Sequence, residues 1–177
     1  MRFLMKLAVL AAVVLGGVWV YGWSLPREHR VTSSITLTAA PDSVYAVIRD
    51  LARTPAWWSD VNSMKRLTGK RRESWEQLMK LSGPVQIEVT SETPGQRLVM
   101  TVLNDDQKDW GGKWTYDVMR TGVGAEVRMT EDGWVEAPLY RVLMKVRGGP
   151  NRTINSYLKS LGAHFGETVA PRRASRG

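Results

Sequence analysis

The segment Val31–Val61, VTSSITLTAAPDSVYAVIRDLARTPAWWSDV, restricts the possible folds more than any other stretch of the chain. Ile35 and Leu37 alternate with Ser34, Thr36 and Thr38, which predicts a half-buried strand over Val31–Thr38. Pro41 then opens a helix at the position where a missing N–H costs nothing, and Asp42 places a negative charge in its first turn. Val44, Val47, Ile48 and Leu51 recur at helical spacing and give that helix one apolar stripe. Thr54-Pro55 ends it, because a residue before proline is pushed out of the α region. A second short helix, Ala56–Asp60, carries Trp57 and Trp58.

Downstream, short alternating runs follow one another with hairpin signals between them. Ser63–Thr68 is a weak strand that turns at Gly69-Lys70. In Glu73–Leu81, Trp75, Gln77, Met79 and Leu81 share one face. Val85, Ile87 and Val89 alternate with polar residues, Glu88 among them. Arg97–Leu103 is apolar almost throughout, as a strand buried on both faces is. Asn104–Asp109 is a polar loop. Trp114, Tyr116 and Val118 oppose Asp117, and Ala125–Val135 is the last strand. This order predicts an antiparallel meander of about six or seven strands, twisted enough to curl around a cover. The cover is the C-terminal region. Leu139, Val142, Leu143 and Val146 share a helical face within Pro138–Val146, and Ile154, Tyr157, Leu158, Leu161 and Phe165 share another. Gly148-Gly149-Pro150 between them predicts a kink or a split into two helices.

The order strand, A-A-P-D-S-V-Y-A-V-I-R-D, then P-A-W-W-S-D-V resembles the SRPBCC superfamily of polyketide cyclase/dehydrase-like, START-like and birch-pollen-allergen-like proteins. The resemblance covers roughly Val31–Phe165. It implies an α+β helix-grip fold, in which a curved antiparallel sheet wraps a C-terminal helix around a cavity. It also implies a hydrophobic small molecule or lipid as the partner, for instance a polyketide- or quinone-like compound. Trp75, Met79, Met100, Trp114, Tyr116, Met129 and Tyr157 are expected to line the cavity, with Gln77 as an orienting hydrogen-bond donor. Packing of these same residues as plain core is the competing expectation, and the better one for any of them taken singly.

The N-terminus is of a different kind. Arg2 and Lys6 precede Leu7–Trp23, an uncharged run that ends in Trp19, Tyr21 and Trp23. With Phe3–Met5 it reaches the ~20 residues a bilayer-spanning helix needs, and rings of this type favour the membrane–water interface. A signal peptide is the alternative, disfavoured by the length of the run and the lack of an A-x-A site. The expected organisation is an anchor over 1–23, a linker over 24–30, the domain over 31–168 and a basic disordered tail over 169–177. Arg2 and Lys6 favour a cytoplasmic N-terminus, and hence a bacterial inner-membrane protein with its domain in the periplasm, while Arg27 and Arg30 pull the other way.

The net charge of +8 is partly local, in Lys65, Arg66, Lys70, Arg71 and Arg72 and in Arg172, Arg173 and Arg176. The first cluster either contacts anionic lipid or is ordinary solvated charge. No nucleic-acid motif accompanies it, so nucleic acid is not an expected partner. The catalytic inventory is thin. There is no cysteine, and the two histidines, His29 and His164, are expected on the surface. No metal site and no cofactor is expected. Glu131 is the weak catalytic candidate: it is in phase with Val127 and Met129, yet strand fraying near Asp132-Gly133 is expected to leave it in water. Binding of an apolar ligand is thus the leading expectation. A protein-interaction or envelope-stress module using the basic surface, and a cyclase/dehydratase-type enzyme, are the alternatives.

Overall fold

A computed structural model describes residues 2–103 and 109–173; all of the expected polar loop Asn104–Asp109 except its last residue, and the tail residue Arg176, lie outside that range. The first element, α1 (Arg2–Ser24), is followed by β1 (Glu28–Leu37), α2 (Pro41–Arg49), a 3-10 turn (Leu51–Arg53) and the short α3 (Thr54–Trp57). Six strands succeed one another: β2 (Val61–Leu67), β3 (Ser74–Met79), β4 (Gly83–Thr93), β5 (Arg97–Val102), β6 (Trp110–Thr121) and β7 (Gly124–Val135). Then come α4 (Pro138–Val146), α5 (Pro150–His164) and β8 (Arg172–Arg173). The sheet has eight strands in the order β2-β3-β4-β5-β6-β7-β1-β8, so β1 leaves the meander order and closes onto β7. All the paired strands are antiparallel.

The local chemistry explains these elements. Pro41 sits at the start of α2, whose Val44, Tyr45 and Ile48 are buried. At the β4–β5 hairpin, Gly95 has φ 76°, a left-handed conformation that glycine adopts without strain, and Gln96 N donates to Thr93 O across the turn. Gly148 and Gly149 have φ 95° and 63°, and they split the C-terminal region into α4 and α5 instead of merely kinking it. The core lies in the grip of the sheet: Ile154, Tyr157, Leu158 and Leu161 of α5 are buried against Ile35, Leu37, Tyr116, Val127 and Met129. The Tyr157 ring lies 5.0 Å from both Trp58 and Tyr116 and 5.1 Å from Trp57, an aromatic knot joining α3, α5 and the sheet.

Several expectations need correction. β1 begins at Glu28, so Glu28–Arg30 belongs to the sheet and not to a linker. The eighth strand comes from the supposedly disordered tail, with Arg172 and Arg173 paired to Ser34 and Ser33. β5 is buried on one face only: Leu98, Met100 and Val102 point in, while Val99 and Thr101 are half-buried. Leu81 falls beyond β3 and is exposed. The stripe Leu139, Leu143 and Val146 of α4 faces outward, not into the core, because α4 packs against the end of α1 as well as the sheet.

Candidate functional site

Along β1 the inward positions are His29, Val31, Ser33, Ile35 and Leu37, and along β7 they are Ala125, Val127, Met129 and Glu131. α5 covers the middle of this inner face but not the end where β1 begins and β7 finishes. Tyr116 and Met129 lie under α5 and are fully buried, whereas Trp114 and Glu131, one inward position further on, border a hollow. That cavity has a volume of about 110 Å³. Its walls are Met79, Val85, Val102, Trp110, Trp114 and Trp134, closed by Tyr140 and Met144 from α4 and Thr153 from α5.

One polar cluster sits on this wall. His29 pairs in register with Gly133, which has no side chain, so the imidazole leans over the glycine to its diagonal neighbour Glu131. His29 Nε2 is 3.1 Å from Glu131 Oε1, and Trp114 Nε1 donates to Glu131 Oε2 at 3.2 Å. Both partners are mostly buried, with side chains 22% and 14% exposed. The strand does not fray at Glu131: β7 stays paired with β1 and β6 as far as Trp134 and Val135. Glu131 is therefore not in water, and His29 is not a linker residue on the surface. The signal for His29 was available, since the alternation of β1 continues back through Ser33 and Val31 to it. Burial, and then the charge of Glu131, push the Tyr116 hydroxyl far above its ordinary range, so it stays protonated; burial does the same to Tyr157.

The other expected ligand contacts divide sharply. Met79, Trp114 and Glu131 line the cavity. Met100, Tyr116, Met129 and Tyr157 are core. Gln77 is buried with its amide 2.9 Å from Met79 Sδ, and Trp75 is half-buried with its indole N–H donated to Glu73. His164 stands beside Trp57 and Phe165. Among the described residues no three His, Asp or Glu side chains gather as a metal site. Of the basic cluster, Arg72 is 3.8 Å from Glu88 and donates to Thr90 O, so the hairpin's charge is partly spent within the sheet.

The mostly apolar walls, with the polar side chains of His29, Glu131, Ser82, Lys113 and Thr153 among them, suit a small hydrophobic molecule that carries a polar group. Comparison with known proteins agrees on the architecture. The Zhui aromatase/cyclase from a Streptomyces species superposes with a TM-score of 0.63 at 11% identity, over 77% of this chain and 93% of that one. A START superfamily protein from Mycobacterium smegmatis gives 0.58 at 12% identity, over 78% and 97%. Truncated norcoclaurine synthase from Thalictrum flavum gives 0.61 at 9% identity, over 78% and 93%. At these identities the likeness concerns the fold alone. No curated protein matches the sequence. The family model for polyketide cyclase / dehydrase and lipid transport proteins matches residues 28–161, from the first residue of β1 to the last buried leucine of α5, and the chain belongs to that family.

Proposed function

We propose that this is a membrane-tethered domain that binds a small hydrophobic molecule, oriented by one hydrogen bond to the His29–Glu131 pair. The observation that carries this reading is the make-up of the cavity wall: mostly aromatic and aliphatic, with few polar side chains, among them a part-buried histidine–glutamate pair held beside Gly133 and Trp114. A volume of about 110 Å³ is below the ~300 Å³ of typical ligand sites, so the resting cavity fits one ring or a short chain. The tether is α1, whose 23 residues span about 35 Å, enough for a hydrocarbon core of ~30 Å. Arg2 and Lys6 favour an inner-membrane orientation with the domain on the periplasmic side; a topology reporter fused after Gly177 tests that, and activity in the cytoplasm refutes it.

The binding test is direct. The purified full chain is denatured, extracted with organic solvent and examined by mass spectrometry. A co-purifying hydrophobe is expected in the native protein and its loss in Met144→Trp, which fills the cavity. An empty native extract, with no quenching of tryptophan by added apolar probes, refutes the reading. A second function is favoured by the same pair: Glu131 held by a histidine can take or give a proton, as a cyclase or dehydratase requires. Under that reading Glu131→Gln abolishes turnover but leaves the hydrophobe bound.

A further inference from the structure

α4 carries two apolar faces, and the sheet and α5 account for one of them. Tyr140 and Met144 point into the cavity. Leu139, Leu143 and Val146, at i, i+4 and i+7, point away and are 51%, 39% and 79% exposed. The same helix is fastened to the end of α1. Gly22, the one buried residue of α1, lies against the first turn of α4 so closely that a Cβ there would be 2.3 Å from Pro138 O. Arg141 is buried and places its guanidinium among four carbonyl oxygens: Nε donates to Val135 O at 2.8 Å, Nη1 to Gly22 O at 3.3 Å and Leu25 O at 3.1 Å, and Nη2 to Glu136 O at 2.6 Å. Gly22 O and Leu25 O lie at the C-terminal end of α1, the negative end of its dipole, where carbonyls lack intrahelical partners. α1 has no basic residue in its own last turn, so Arg141 supplies the cation from another element. One turn later Lys145 Nζ donates to Tyr21 Oη at 2.8 Å.

We propose that α4 lies in the head-group layer of the membrane that α1 enters, locked there by Arg141, so that the cavity wall formed by Tyr140 and Met144 abuts the bilayer and the ligand enters from lipid, not from water. The proposal rests on the tethered-binder reading above and adds the ligand's source. The occupant of the exposed stripe follows from its position. Its first residue, Leu139, follows Pro138, which lies against Gly22 of α1 between Tyr21 and Trp23, rings of the kind that mark interface depth. An exposed apolar stripe on a helix that carries Lys145 and is capped by Arg147 has the form of an interfacial helix. Val135, His29 and Met144 also border an outer groove along Leu25–Arg27 and Lys145, so these three residues wall both the cavity and that surface groove.

The lack of cysteine makes the test clean. Single substitutions Leu143→Cys, Val123→Cys and Val13→Cys are labelled with bimane, and the full chain is reconstituted in phosphatidylcholine–phosphatidylglycerol vesicles. The Leu143 label is expected to be quenched by nitroxide lipids and shielded from iodide, like the Val13 label. The label at Val123, in the exposed β6–β7 turn, should show the reverse. Arg141→Gln should abolish lipid quenching at Leu143 while leaving Val13 unchanged; should that variant misfold, Lys145→Ala weakens the same junction more gently. A Leu143 label quenched by iodide, with Val13 in lipid, overturns the proposal but keeps the anchor. A Leu143 label shielded from iodide yet untouched by nitroxide lipid identifies a protein partner instead and also overturns it. Iodide quenching at Val13 defeats the tether itself. Failure of the detergent-solubilised chain to take up an apolar probe overturns the ligand reading and the entry route, with Leu143 still in lipid.

Discussion

Gly133→Ala tests the cavity wall with one methyl group. A Cβ at position 133 would stand 2.6 Å from both Cε1 and Nε2 of His29. Carbon contacts settle near ~3.5 Å, so the imidazole must retreat by about 1 Å. The bond from His29 Nε2 to Glu131 Oε1, now 3.1 Å, then opens to about 4 Å, outside hydrogen-bond range. Overpacking of this kind costs ~1–3 kcal/mol and the lost bond about 1 kcal/mol, so roughly 2–4 kcal/mol is expected in all. For a chain of this size that lowers Tm by about 5–15 °C. Urea unfolding of the detergent-solubilised chain, followed by tryptophan emission, measures it. The decisive measurement repeats Gly133→Ala in a His29→Ala background. The ring that suffered the collision is absent there, and the methyl group should be nearly neutral, or slightly stabilising because alanine restricts the unfolded chain more than glycine. A coupling of about 2–4 kcal/mol between the two sites is therefore predicted. An undiminished cost of Gly133→Ala without His29 would refute the placement of the imidazole over the glycine, and with it the orientation of Glu131.

Three further perturbations follow from the same structure. Leu158→Ala, at a fully buried α5 position, should destabilise by ~2–5 kcal/mol in urea titrations. Arg141→Met should lower stability by ~2–4 kcal/mol, because four carbonyl oxygens lose a charged donor, and limited proteolysis should then cut between α1 and β1. Arg49 bridges Glu73 at 2.6 Å and Glu92 at 3.0 Å. Its hydrogen bond holds the Glu73 carboxyl below the usual value of 4.5, against the opposing effect of burial. The folded pKa is depressed, so this contribution is complete above about pH 4.5 and is lost as pH falls through the lower folded value. Urea midpoints measured downward from pH 5 should fall less steeply in Arg49→Met than in the native protein.

Strand and helix order was legible because both periodicities are clean here: Ile35 and Leu37 against threonines and serines, Val44 and Ile48 at helical spacing, and a glycine at the turning points Gly69, Gly95 and Gly124. The inner face of each strand was legible too. Depth along that face was not. Phase alone cannot tell Tyr116 from Trp114 or Met129 from Glu131, because each pair points the same way. What separates them is where α5 stops covering the sheet, and that depends on the break at Gly148-Gly149. The eight residues expected around the ligand thus mix core under α5 with Met79 and Trp114 at the hollow. His29 escaped notice for a related reason. Glu28 and Arg30 beside it are charged, which reads as linker, yet they occupy the outer face of an edge whose inner face is still in register.

The misplaced face of α4 has a deeper cause. Burial of an apolar stripe is inferred by assuming a single apolar phase, the protein interior. Leu139, Leu143 and Val146 form the most regular stripe on that helix, so on this assumption they belong inside. Tyr140, Arg141 and Met144, which do turn inward, make a poorer stripe because a guanidinium sits in the middle of it. The guanidinium is tolerated there because Gly22, Leu25, Val135 and Glu136 all present carbonyls to it, and the first two lie in and just past the last turn of α1, a helix long and apolar enough to cross a bilayer. With lipid as a second apolar phase the choice reverses. The regular stripe is free to face the membrane, and the interrupted one is held against the domain by hydrogen bonds that a hydrophobic face does not need. If that is why α4 is built this way, Leu143→Asp should cost little in detergent-free urea titrations of a chain cut before Leu25, provided that fragment folds, and much in vesicle association of the full chain. The opposite ranking would mean that the stripe serves the fold rather than the membrane.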